Sequence, residues 1–138
     1  MDYKFAVPKN LYIIGMMNTA DRSLAMIDYA LRRRFSFFPM EPGFKKYLTE
    51  LNDDTLYALI DVVIALNKAI IDDPSLGAGF CIGHSYFYGQ KASDEEDLAG
   101  WMTSVVDYDI VPMLEEYWFD ESDKVRLWRN RLNGVFNS

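Results

Sequence analysis

The chain has 138 residues, half of them apolar and 15% aromatic, with a formal net charge of −7 and a single cysteine. That length suits one sizeable core and hardly two, and the apolar content excludes global disorder. No apolar run approaches the roughly 18–20 residues of a membrane-crossing helix, the first residues lack the pattern of a secretory signal, and a lone Cys81 excludes an internal disulfide framework. The expectation is a soluble, cytoplasmic protein with no membrane partner.

Charge is unevenly spread. Residues 1–46 carry eight Lys/Arg against four acids, whereas residues 47–138 carry six against seventeen. The acidic part would repel a polyanion, so nucleic-acid binding by the whole chain is not expected, although the basic front could meet phosphate locally.

In chain order, Val7-Pro8-Lys9-Asn10 reads as an extended lead-in. Residues 11–16, Leu-Tyr-Ile-Ile-Gly-Met, form a short near-continuous apolar run of the kind buried on both faces in a parallel sheet. The polar segment from Asn18 to Ser23 follows, and Asp21 or Ser23 would cap a helix from about Leu24 to Arg33. Phe35-Ser36-Phe37-Phe38 reads as a second strand, closed by Pro39 and Pro42-Gly43. Strand, helix, strand is a parallel crossover pattern, and two such strands need further partners. Residues 11–16 are therefore expected to pair with residues 35–38 or to recruit a second chain by edge pairing.

Beyond residue 43 the signals are helical. A short helix is expected over residues 44–51, and a longer one from an Asp53 cap to about Ile71, with Leu56, Leu59, Ile60, Val63, Leu66 and Ile70 on one face. Asp72-Asp73-Pro74-Ser75 stops it. Residues 76–89 hold four glycines together with Phe80, Tyr86 and Phe87, and read as an ordered loop. Ser93 to Glu96 is a capping-box pattern opening a helix to about Val106. Another helix begins near Asp109 with Pro112 in its first turn. A last one runs from a Ser122 cap to about Leu132, with Gly134 as a stop.

Few residues carry chemistry by themselves. Asn18, where a buried strand would hand over to a loop, has an amide that can donate to a phosphate oxygen and accept from water. From composition alone, turn chemistry is the favoured reading of Asn-Thr-Ala-Asp. Arg32-Arg33-Arg34 would close a helix, where cations are favoured, and at least one of the three would project outward. His84 has no Cys/His neighbours and reads as a hydrogen-bonded loop residue. No GxxxxGK phosphate loop is present, so the chain is not expected to bind a nucleotide strongly alone.

Taken as one run, residues 8–35, with MNTADRS followed by DYALRRRF, closely resemble the AAA+ NTPase subunit of McrBC-type, 5-methylcytosine-specific restriction systems. Ile82-Gly83-His84-Ser85-Tyr86-Phe87 also resembles a segment of that family's helical lid. The likeness is strong over residues 7–42 and looser beyond.

The resemblance implies a mostly α chain with a small β part. Residues 1–42 would be the end of an AAA+ α/β core (strand, helix, strand), and residues 43–138 the all-helical lid. It implies that Asn18 is the sensor-1 residue, that Asp21 and Arg22 belong to the family's signature, and that Arg33 or Arg34, with Arg33 preferred, is an arginine finger acting in trans. No sensor-2 motif stands out; Arg126, Arg129 and Arg131 could serve. The implied cofactor is GTP, or ATP as in most AAA+ relatives, with Mg2+ in the full-length parent. The implied partners are neighbouring AAA+ subunits in a ring, an McrC-like nuclease subunit, and DNA through domains absent here. Two other readings stay open: an ATP-driven remodelling or chelatase-like motor, and a helical interaction module without NTPase function.

Overall fold

The computed structural model describes residues 6–17, 33–44, 54–87 and 95–137, and the chain divides into two units, Met1–Ser36 and Phe37–Ser138. Near its start, Leu11 N–H donates to the Pro8 carbonyl at 3.3 Å, closing a turn over Lys9 and Asn10. Residues 11–17 then run without regular secondary structure, and Ile14 and Met16 are 95% and 99% exposed.

This corrects the expected fold class. The described residues are helical or irregular and contain no strand, so the small β part, the strand–helix–strand fragment of an α/β core and the pairing of residues 11–16 with residues 35–38 are not found. The physical reason lies in the hydrogen-bonding groups of an extended backbone. A parallel strand exists only when neighbours on the sheet take up its N–H and C=O groups, and neither apolar run is paired with a strand among the described residues. The helix expected near residues 24–33 lies largely outside the described residues.

In the second unit, α1 (Asp54–Asp72) follows the apolar spacing closely: Leu56, Leu59, Ile60, Val63, Leu66 and Ile70 are all buried. Removing each such side chain from water contributes about 1.5–3 kcal/mol. Pro74 cannot continue the helix. Asp73 N–H and Gly77 N–H both donate to the Ile70 carbonyl, at 3.3 and 3.1 Å. Gly77 sits at φ +100°, a backbone conformation that a side chain at this turn would strain. The loop beyond contains two 3-10 turns, Ala78–Phe80 and His84–Phe87.

The next helical stretch differs from expectation. α2 (Glu95–Val105) does not stop before a separate helix. A π-helical segment, Val106–Ile110, joins it to α3 (Val111–Tyr117). The buried positions explain why. Val105 and Val106 are buried, and the next buried pair is Ile110 and Val111, five residues on. In a plain α-helix a step of five turns the second pair about 140° away from the first. A π turn is closed by an i→i+5 bond, here from Val111 N–H to the Val106 carbonyl, and returns both pairs to one face. Pro112 acts in the same direction, because its ring would clash with the carbonyl four residues back in a regular helix.

α4 (Ser122–Gly134) begins one residue earlier than expected and is not capped by Ser122. The Glu121 carbonyl accepts from Lys124 N–H at 2.9 Å and Val125 N–H at 3.2 Å, while Glu121 N–H donates to the Trp118 carbonyl at 2.9 Å. A short 3-10 turn, Val135–Asn137, follows Gly134. α1 and α3 both pack on α4. Their buried side chains, with Phe44, Ile82 and Phe87, make one hydrophobic cluster.

One carboxylate binds the α3–α4 corner to the end of α1. Asp73 Oδ2 accepts from Trp118 Nε1 and from Lys124 Nζ, each at 2.8 Å, and Oδ1 accepts from Ser75 N–H at 2.9 Å. Lys124 Nζ also lies 4.4 Å from the Trp118 ring centre, a cation–π distance. The bonds from Lys124, Ser75 and Trp118 hold the Asp73 carboxyl down to about 2, against an ordinary 3.8. Burial disfavours the Lys124 ammonium, but the bond and charge of Asp73 outweigh it and raise its pKa.

Two expectations follow for stability. Because the folded pKa of Asp73 is depressed, its contribution is present above about pH 4 and lost as pH falls through about 2. Thermal unfolding of the chain and of Asp73→Asn should show midpoints well apart at neutral pH that converge over that acid window; a gap that stays constant down to about pH 2 would contradict the assignment. For the π segment, deleting exposed Tyr108 together with Pro112→Ala should leave a continuous, stably folded helix. Inserting an alanine after Asp107 should turn the stripe a further ~100° and strongly lower the urea midpoint. Equal midpoints for the two variants would show that apolar register does not set the π turn.

Candidate functional site

The sequence-derived site is only partly within view. Asn18, Asp21 and Arg22 lie outside the described residues, whereas Arg33 and Arg34 fall in one exposed turn ending at Phe35. Among the described residues no group of three or more His, Cys, Asp or Glu is placed to hold a metal ion. No helix among them is long and apolar enough to cross a membrane.

The three arginines considered for sensor 2 each make an intramolecular contact. Arg126 Nη2 donates to Asp123 Oδ1 at 2.6 Å. Arg129 Nη2 reaches Asp107 Oδ1, on the π segment, at 3.4 Å. Arg131 lies over the Trp128 ring, 4.5 Å from its centre. Asp107 Oδ1 also accepts from Asn133 Nδ2 at 3.1 Å, so the widened turn is tied to α4 through two side chains.

One buried polar side chain of the helical unit does not figure among the sequence-derived candidates. Asn67 sits on the buried stripe of α1, between Val63 and Ile70, at 8% exposure. Its Nδ2 donates to the Ile82 carbonyl at 2.9 Å, and its Oδ1 accepts from Ile82 N–H at 2.6 Å. The amide thus satisfies both backbone groups of one loop residue, as a neighbouring strand would. An asparagine inside an apolar stripe is itself the sequence signal, since a buried amide needs partners.

That pin fixes the segment from Cys81 to Phe87. His84 Nδ1 accepts from Gly43 N–H at 3.0 Å, in keeping with the loop role expected for this histidine. Phe80 meets Tyr117 edge to face, with ring centres 5.3 Å apart. Burial pushes the Cys81 thiol up, and the charge of Glu41 adds to it. Burial likewise raises Tyr117, reinforced by Tyr86, Cys81 and Glu116. A thiol shifted in this direction stays protonated and weakly nucleophilic.

Comparison with known proteins gives a family match for the helical unit. Residues 58–126 match the family described as McrB, alpha-helical lid domain. The chain is also similar to the Type IV methyl-directed restriction enzyme EcoKMcrB subunit of Escherichia coli (strain K12), 45% identical over 139 residues. That likeness covers 95% of this chain but 30% of the relative's length.

Asn67→Ala should leave the Ile82 N–H and C=O without their partner, at a cost of about 1–3 kcal/mol for each buried group. Urea unfolding is the check: a loss below about 0.5 kcal/mol would mean that the loop finds other partners.

Proposed function

Because the chain belongs to the McrB family, with a helical McrB lid domain, we propose that it forms the lid and the adjoining end of the core of an NTP-hydrolysing subunit in a methyl-directed restriction system. Residues 43–138 are the lid in this reading, and residues 1–42 contribute the end of the core. The match over residues 58–126, half the chain, carries the proposal.

Within it, Asn18 serves as sensor 1, Asp21 and Arg22 as signature residues, and Arg33, ahead of Arg34, as the arginine finger supplied to a neighbouring subunit. The parent would use GTP or ATP with Mg2+. The residues of this chain do not fit that group alone: there is no GxxxxGK loop and, among the described residues, no metal-holding cluster. The phosphate loop and the metal ligands are therefore assigned to other parts of the parent, and the isolated chain is expected to be inactive. Neighbouring subunits of a ring, an McrC-like nuclease subunit, and DNA held by other domains complete the proposed assembly.

Steady-state hydrolysis of GTP and of ATP by the full-length parent tests this. Asn18→Ala should lower turnover on the order of 10²-fold with nucleotide affinity largely kept. Arg33→Ala should cost roughly 10³-fold or more, with partial rescue by subunits defective only in their own phosphate loop. GTP-selective turnover fits the restriction motor and ATP turnover a general remodeller. Turnover of neither nucleotide would favour an interaction module.

A further inference from the structure

We propose that His84 is a positioning residue, a clasp that fixes the direction in which the chain enters the helical unit. The contacts form a relay from α1 outward. Asn67 holds both backbone groups of Ile82. Two residues on, His84 opens the 3-10 turn His84–Phe87, and its Nδ1 accepts from Gly43 N–H. Phe44, 4% exposed, lies edge-on to the His84 ring at 6.2 Å and against Phe87 at 6.1 Å.

Chain chemistry makes Gly43 the place for such a clasp. Pro42 has no N–H, so Gly43 carries the first backbone donor after it. A Cβ at Gly43 would lie 3.6 Å from His84 Cε1, an ordinary contact. The bond, rather than a need for glycine, is therefore what ties this point to the loop. The bond is solvent-exposed, and such bonds add little to global stability while controlling local opening. The expected effect of losing it is thus local: residues 43–44 would swing free of the 81–87 loop while α1 stays folded. The clasp takes its purpose from the lid reading, in which residues 43–44 open the lid. It is measured in this chain, however, whereas the lid reading is tested by hydrolysis in the parent, so the two can fail separately.

Amide hydrogen exchange, followed by NMR on the 138-residue chain, tests the clasp. Gly43 N–H should be protected in the native sequence, and His84→Ala should speed its exchange about tenfold while Val63 and Leu66 change by less than about twofold. His84→Asn, which places an amide oxygen on Cγ where Nδ1 stood, should restore most of the protection. Three results would overturn the proposal: an unprotected Gly43 in the native sequence, equal acceleration at Gly43 and in α1, or no rescue by asparagine.

Discussion

Asp73 joins the end of α1 to a corner 45 to 51 residues further along the chain. Its oxygens receive the N–H of Ser75 just beyond α1, the indole N–H of Trp118 at the end of α3, and the ammonium of Lys124 in the first turn of α4. Helices pack by apolar contact, which is strong but non-directional. A charged acceptor with three donors is directional, and it sets which turn of α3 and α4 faces the end of α1. Trp118, 2% exposed, could not be buried at this corner without a partner for its N–H. The same carboxylate that places α4 therefore also allows a core tryptophan to be interior.

A second constraint acts along a single element. The π segment keeps α2 and α3 one continuous rod although their apolar positions are out of α-helical step. It also presents Asp107 to Arg129 and Asn133 on α4. Packing on one side and polar contact on the other meet at the same turn. Asn67 plays the corresponding part for the loop, turning an irregular segment into a fixed edge of the core.

The helical unit was largely legible in the sequence because helices announce themselves locally. The stripe of α1 and its stop at Pro74 need only neighbouring residues, and the structure reproduces both. The π segment was misread as a break because Pro112 suggested a new start; the five-residue step between Val105/Val106 and Ile110/Val111 was the better clue. Residues 11–16 failed for the opposite reason. An apolar, β-branched run states a preference, but a strand is completed by its neighbours, and among the described residues Ile14 and Met16 stay exposed with no strand beside them. Asn67 shows the limit of pattern reading at a site: its position on the buried stripe was visible, whereas its partner Ile82 depends on how a distant loop folds back. The residues proposed for chemistry were legible only through family likeness. Asn18, Asp21 and Arg22 lie outside the described residues, and Arg33 and Arg34 are exposed.

The π turn also has a historical side. A helix given one extra residue by a single-codon insertion must either rotate everything beyond it or absorb the residue in one widened turn. Here Val105 and Val106 on one side, and Ile110 and Val111 on the other, all face the same core, which is the arrangement that absorption leaves behind. A relative one residue shorter at this point could bury the same four side chains on a plain helix. The lid could thus gain or lose that residue without its core being rebuilt.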